Sequence, residues 1–125
     1  MNGTKPTVIV IDDDPSILRA LRRLLCRVGF DVQTLNGPAA ALKSDLPTAE
    51  ACLLVDMHMP EMSGVELCEM LACAGCRLPV ILMTAHTDER TREFAKRVQP
   101  VALLIKPFGN DLLVSSIRGA LHTEQ

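Results

Sequence analysis

The sequence has 125 residues, a length that suits one domain at roughly 100–200 residues per domain. Its 13 Lys and Arg nearly balance its 15 Asp and Glu, and its aromatic residues are three Phe with no Tyr or Trp. Without a basic surplus or aromatic platforms, the chain is not expected to bind nucleic acid directly. No apolar run approaches the roughly 18–20 residues of a membrane span, and no apolar core marks a secretory leader, so we expect a cytoplasmic protein without membrane contact.

Short apolar segments alternate with longer amphipathic ones along the chain. The first, from Val8 to Ile11, is rich in β-branched residues without polar alternation, which is typical of a strand buried on both faces of a parallel sheet. Asp14 and Pro15 then predict the N-cap and first residue of a helix that stops near Gly29.

The same alternation continues to the end of the chain. The predicted strands are 7–11, 31–35, 51–55, 79–83 and 101–105. The predicted helices are about 15–28, 38–43, 64–72, 87–98 and 110–121, the third opened by a capping box from Ser63 to Glu66. Five strands alternating with five helices predict the α/β class, with a doubly wound five-stranded parallel sheet. We expect a single domain over residues 1–125 and no output domain in this chain.

Polar residues follow four of the five predicted strands. They are Asp12, Asp13 and Asp14 after the first strand, Asp56 after the third, Thr84 after the fourth and Lys106 after the fifth. Because ligands of such folds bind outside the carboxyl ends of the strands, these side chains are expected to share one site.

The residue types at these ends indicate phosphoryl-transfer chemistry. Neighbouring carboxylates repel one another unless a cation lies among them, and an all-oxygen set of ligands suits Mg²⁺. A lysine and a threonine hydroxyl can contact phosphoryl oxygens, so the set matches a phosphoryl-transfer site. Asp56 stands alone at its strand end and is the natural nucleophile. A single Asp after a strand is usually a helix cap, and Asp14 is interpreted in that way.

At this point the chain resembles the receiver domain of response regulators in two-component signalling, the CheY-like superfamily, over nearly its whole length. Four motifs carry the resemblance: Asp12 to Pro15, Asp56 to Gly64, Thr84 with Ala85, and Lys106 to Phe108. The resemblance implies a flavodoxin-like sheet with strand order 2-1-3-4-5. The last strand and helix are similar to those of receivers that precede a DNA-binding domain, which suggests the receiver half of a FixJ-type transcriptional regulator.

The resemblance also implies a role for each site residue. Asp56 accepts a phosphoryl group from a kinase phosphohistidine, and Asp12, Asp13, Asp56 and the backbone carbonyl of His58 hold Mg²⁺, for which Mn²⁺ can substitute. Lys106 pairs with the acceptor and then with the phosphoryl group, and Thr84 hydrogen-bonds that group. Pro107 is expected to follow a cis peptide bond that aims Lys106, and Gly64 to relieve crowding where its loop enters a helix.

Three positions depart from the family pattern or stand out within it. Leu103 occupies the position, three residues before the lysine, where receivers commonly carry a rotating Tyr or Phe. An output signal would then depend on Thr84 and on backbone motion. His58 and His86 each lie two residues beyond a site residue, where the family controls the access of water, so they are candidates for tuning the lifetime of the acyl phosphate or, alternatively, loop residues without a role.

The resemblance predicts a signalling protein rather than an enzyme, and two alternatives remain open. One is a haloacid-dehalogenase-like phosphatase with Asp12 as its nucleophile, although this leaves Asp56 without a role. The other is a receiver-shaped binding module that ignores phosphorylation. Expected partners are a sensor histidine kinase or a phosphotransfer protein, and a second copy of the chain bound through the surface of helix four, strand five and helix five.

The cysteines and methionines suggest no further site. Five cysteines are an odd number and are interpreted as reduced thiols. Cys73 and Cys76 have the spacing of a redox or zinc motif, but no second pair of ligands accompanies them and they lie at a helix end, so no role is assigned. Met57, Met59 and Met62 are interpreted as packing residues of the loop after Asp56.

Overall fold

The computed structural model describes residues 5–123. Residues 1–4, on which the prediction of no secretory leader partly depends, lie outside the described residues. The described part of the chain contains no helix that is both long enough and apolar enough to cross a membrane.

Five parallel strands form one sheet in the order β2-β1-β3-β4-β5. The strands are β1 (Thr7–Ile11), β2 (Asp31–Leu35), β3 (Ala51–Asp56), β4 (Val80–Thr84) and β5 (Ala102–Ile105). This order confirms the predicted flavodoxin-like topology. The register pairs Ile11 with Val55, Asp56 with Met83 and Thr84 with Ile105, so the carboxyl ends of the four strands β1, β3, β4 and β5 lie at one level.

Five helices cover the two faces of the sheet. They are α1 (Pro15–Val28), α2 (Pro38–Lys43), α3 (Gly64–Cys73), α4 (Glu89–Ala95) and α5 (Asn110–Thr123), with a 3₁₀ turn at Lys96–Val98 after α4. The buried residues of α1 and α5 pack in one apolar cluster, and those of α2, α3 and α4 in a second. Alternate residues of each central strand enter the two clusters, as in β1, where Val8 and Val10 face one and Ile9 and Ile11 the other. The strands are therefore apolar along their length, as the absence of polar alternation predicted.

The predicted boundaries need correction at β3, β4 and α4. Asp56 and Thr84 are the last residues of their strands rather than the first residues beyond them. Helix α4 was predicted over 87–98, but it begins at Glu89 after the extended N-cap Asp88 and ends at Ala95. The turn that follows closes at Gln99, whose φ of 49° is left-handed. The ends of this helix are hard to predict because charged residues fill most of the segment. Ala95 is the buried residue of α4, so no apolar periodicity indicates where the helix begins and ends.

Candidate functional site

Backbone pairing places three carboxylates at the carboxyl edge of the sheet. The N–H of Asp12 donates to the carbonyl of Leu35, which continues the pairing of β1 with β2 beyond the strand. Asp56 ends β3, the other neighbour of β1. Asp12, Asp13 and Asp56 each offer an oxygen atom, and these atoms lie within 4.8 Å of one another. Asp12 is 1% exposed and Asp56 is 6% exposed, whereas Asp13 is exposed to solvent.

Lys106 brings a positive charge to this cluster from β5. Its backbone N–H donates to the carbonyl of Thr84, which fixes its position beside the end of β4. Its Nζ lies 3.5 Å from Oδ2 of Asp12 and 3.6 Å from Oδ1 of Asp56. The Lys106–Pro107 peptide bond is cis. One ammonium thus faces both buried carboxylates, and the three carboxylates together outnumber it.

The electrostatics of Asp12 fit a cation site. Burial raises the pKa of Asp12 above its ordinary value, and the charges of Asp56 and Asp13 raise it further. The backbone N–H of Asp14, which donates to Oδ1 of Asp12 at 2.9 Å, and the charge of Lys106 oppose this shift. Among residues 5–123, Oδ2 of Asp12 is a buried side-chain atom without a hydrogen-bond partner. A hard cation with oxygen ligands would satisfy this atom and neutralise the carboxylates.

Thr84 is fully buried, and its hydroxyl oxygen contacts two histidines. The backbone N–H of His86 donates to Oγ1 of Thr84 at 3.0 Å. The Nε2 atom of His58 lies 2.9 Å from the same oxygen. The two imidazole rings pack edge to face, with centroids 4.5 Å apart and an interplanar angle of 67°. The backbone N–H of His58 also donates to Oδ1 of Asp56 at 3.3 Å.

The contact between His58 and Thr84 is the feature of the candidate site that sequence reasoning missed. Both histidines were singled out as neighbours of the phosphoryl site, but not as partners of each other or of the hydroxyl. The available signal was their equal spacing, since each stands two residues after the last residue of a neighbouring strand. That spacing places both side chains at the same edge of the sheet.

Gly64 lets α3 begin close to the end of β3. A Cβ atom at this position would overlap the backbone carbonyl oxygen of Asp56 and would lie 3.0 Å from a side-chain methyl of Val55. The predicted capping box is present, because Ser63 accepts from the N–H of Glu66 and the Glu66 carboxylate accepts from the N–H of Ser63. Asp14 caps α1 by accepting from the N–H of Ser16 at 2.9 Å, as predicted.

The remaining candidates add no ligand atom to the carboxylate cluster. Leu103 is partly buried and packs against the apolar cluster under α3. Cys73 and Cys76 are free thiols at the end of α3, near the opposite edge of the sheet from the carboxylates. Met57 and Met59 are buried and belong to the apolar core, in agreement with their interpretation as packing residues.

This fold, with its acidic edge, lysine and threonine, defines a class of signalling proteins. The family model described as the response regulator receiver domain matches residues 8–118. The chain belongs to the response regulator receiver family, and it is therefore a receiver domain of the two-component type, a signalling protein.

Particular relatives and solved structures agree with this assignment. The response regulator protein TmoT of Ectopseudomonas mendocina is 32% identical over 121 residues, which cover 97% of this chain and 55% of the relative. The transcriptional regulatory protein FixJ of Azorhizobium caulinodans is 33% identical over 91% of this chain and 54% of the relative. The crystal structure of FixJ-N superposes with a TM-score of 0.84 at 29% identity, covering 98% of this chain and 96% of that one. The chain thus spans about half the length of the curated relatives it matches.

Proposed function

We propose that Asp56 accepts a phosphoryl group from the phosphohistidine of a sensor histidine kinase or a phosphotransfer protein. The observation that carries the proposal is the position of this carboxylate, which ends β3 with Lys106 at 3.6 Å and with Asp12 and Asp13 beside it. An oxygen of Asp56 attacks phosphorus, the P–N bond breaks, and the imidazole nitrogen leaves with the bonding electron pair. Hydrolysis later returns the carboxylate and inorganic phosphate.

The acidic cluster is the proposed site for Mg²⁺, with Mn²⁺ as a substitute. Asp12, Asp13 and Asp56 would supply carboxylate oxygens, and the backbone carbonyl of His58 would supply a fourth ligand. When bound, the metal supplies positive charge that neutralises the transferring phosphoryl group. The Oδ2 atom of Asp12, which is buried without a hydrogen-bond partner among residues 5–123, and the raised pKa of this carboxyl group support the assignment.

Lys106 and Thr84 are the proposed protein contacts of the phosphoryl group. The Lys106 ammonium already faces Oδ1 of Asp56. It can therefore also contact the oxygens of a phosphoryl group bound to this carboxylate and neutralise their negative charge. Thr84 ends the adjacent strand β4 and can give its hydroxyl proton to one of these oxygens. The exposed rings of His58 and His86 border the same site and are proposed to tune the lifetime of the acyl phosphate by ordering or excluding water.

The proposed switch depends on Thr84 and on backbone motion, because Leu103 has no ring to rotate. The proposed output surface is formed by α4, β5 and α5. Leu112 of α5 is 53% exposed and Val101, which directly precedes β5, is 41% exposed, so these elements offer apolar area to an output domain or a second copy. Matched relatives named transcriptional regulatory proteins support the role of a receiver half in a FixJ-type regulator. Sedimentation of the phosphorylated chain tests the proposed homodimer.

The decisive experiment is incubation with Mg²⁺ and acetyl phosphate, followed by intact-mass measurement. We expect a mass increase of one phosphoryl group in the native chain and in the matched control Asp14→Asn, where Asn retains the cap of α1. We expect no increase in Asp56→Asn. Donor turnover that depends on Asp12 but not on Asp56 would instead support a phosphatase, and no adduct with any donor would support a phosphorylation-independent binding module.

A further inference from the structure

Two histidines and one buried hydroxyl form a small network at the rim of the site. The Thr84 side chain is fully buried, whereas His58 and His86 are exposed residues of two different loops. The hydroxyl oxygen of Thr84 accepts the N–H of His86 at 3.0 Å and lies 2.9 Å from Nε2 of His58. The His58 imidazole is thus the side-chain partner that holds this hydroxyl in the unphosphorylated chain.

A hydroxyl group can donate only one hydrogen bond, and this limits what Thr84 can contact at the same time as His58. A threonine hydroxyl has one proton to donate and two lone pairs to accept with. The N–H of His86 already occupies one lone pair of Thr84. A phosphoryl oxygen only accepts hydrogen bonds, so Thr84 can contact a phosphoryl group on Asp56 only by donating its single proton.

We propose that His58 is a positioning residue that accepts the Thr84 proton at Nε2 before phosphorylation and therefore competes with the phosphoryl group for it. This inference rests on the proposed function of Asp56. In the unphosphorylated chain the hydroxyl donates to His58. In the phosphorylated chain it donates to the phosphoryl oxygen, and the imidazole of His58 loses its bond to Thr84.

The released ring has a route to α4 that does not involve Leu103. The His58 ring packs against His86, and Asp88, two residues further on, is the N-cap of α4. An open depression of 360 Å³ lies beside His58 and is lined also by Asp88 and Phe94, so the ring has room to move towards α4. The histidine pair thereby offers a path from the candidate site to α4 that needs no aromatic residue at position 103.

The first test compares the affinity of His58 variants for beryllofluoride, which mimics a phosphoryl group on a carboxylate. With Mg²⁺ present, calorimetry of the full chain should show binding to His58→Leu that is about two- to tenfold tighter than to the native chain, the value of one competing hydrogen bond. His58→Gln, whose amide oxygen can accept the same proton, should restore the native affinity. His122→Leu is the matched control, because His122 is an exposed histidine in the last turn of α5.

The second test observes the imidazole directly. Nitrogen-15 spectra of the native chain at mildly alkaline pH should show Nε2 of His58 without a proton and hydrogen-bonded, and beryllofluoride should change its chemical shift. A protonated Nε2, or equal or weaker beryllofluoride binding by His58→Leu, would overturn the inference while leaving Asp56 as the acceptor. Failure of beryllofluoride to bind the native chain would overturn the function of Asp56 and, with it, the role of His58.

Discussion

Asp12 shows how a single residue of the candidate site can oppose the stability of the fold that holds it. Its carboxyl group is almost completely buried, and one of its oxygens has no hydrogen-bond partner among the described residues. Burial of a charged group is unfavourable unless that charge is compensated, and Lys106 at 3.5 Å is shared with Asp56. The pKa of Asp12 is raised because the charge of Lys106 does not fully offset the cost of burying the carboxylate.

Asp12→Asn is therefore expected to stabilise the metal-free chain at neutral pH, by about 0.5–2 kcal/mol in the free energy of unfolding. Asparagine retains the oxygen that accepts the N–H of Asp14 but has no charge to desolvate. Urea unfolding followed by far-ultraviolet circular dichroism, with EDTA present, measures the difference. The exposed Asp45→Asn is the control and should change little.

The pH dependence of this gain has a defined sign. The folded pKa of Asp12 lies above the ordinary value of 3.8, so the folded state holds the proton more readily than the unfolded state. Asp12 thus causes no loss of stability below that value, and the loss grows as pH rises through the folded pKa. The advantage of Asn should be greatest at neutral pH and should disappear in acid. A gain independent of pH would contradict the electrostatic explanation.

The sequence predicted the members of the acidic site because each one follows from local patterning. The first polar residue after an apolar run indicates where a strand ends. Because the strands are parallel, their ends bring Asp56, Thr84 and Lys106 to the same edge of the sheet. The bond between His58 and Thr84 was not predictable in this way. It depends on the rotamers of side chains from separate loops, and these are decided by packing around the finished site.

At the scale of elements, the start of α3 depends on the close approach of Gly64 to β3. The N–H of Gly64 donates to the carbonyl of Met57 at 2.9 Å, so the loop after Asp56 closes tightly onto the strand end. The atom that a side chain at position 64 would meet first is the backbone oxygen of Asp56, which cannot swing aside as a flexible side chain would. The resemblance to receiver domains implied this role for Gly64.

Gly64→Ala is expected to lower the free energy of unfolding by about 1–3 kcal/mol, as for other overpacked sites. Gly119→Ala is the matched control, because Gly119 lies within α5 and, apart from its chain neighbours and the helix's own backbone, no heavy atom lies within 4 Å of the added Cβ. Alanine is the better helix former, so this control should gain about 0.5–1 kcal/mol. Thermal unfolding of the two variants should therefore shift in opposite directions, and a shift in the same direction would contradict the proposed clash.

Helix α4 shows where sequence patterning is weakest. Charged residues fill most of the segment, and Arg97 lies over the ring of Phe94 while it pairs with Glu69 of α3 at 2.6 Å. Long-range contacts of this kind hold the turn after α4 in place, and no local periodicity encodes them. The presence of this helix was predicted correctly, but the residues at which it begins and ends were not.

At the scale of the whole molecule, one sheet separates two apolar layers that are covered by different helices. The layer under α2, α3 and α4 contains Cys68, which is 5% exposed. Burial, with smaller contributions from Cys76 and Glu69, raises the pKa of the Cys68 thiol to about 12. Reagents that need a thiolate can attack Cys68 rapidly only after α3 has separated from the sheet.

Alkylation of Cys68 is therefore expected to follow global unfolding. At mildly alkaline pH, iodoacetamide should modify the exposed Cys73 of the same helix rapidly in the native chain, while Cys68 remains protected. A rise in pKa from 9.0 to about 12 lowers the thiolate fraction about a thousandfold, in addition to the protection from burial. Added urea should accelerate modification of Cys68 in proportion to the unfolded population, as measured by peptide mass spectrometry. If Cys68 reacts at a rate that urea does not change, α3 opens locally and the two layers do not unfold as one cooperative unit.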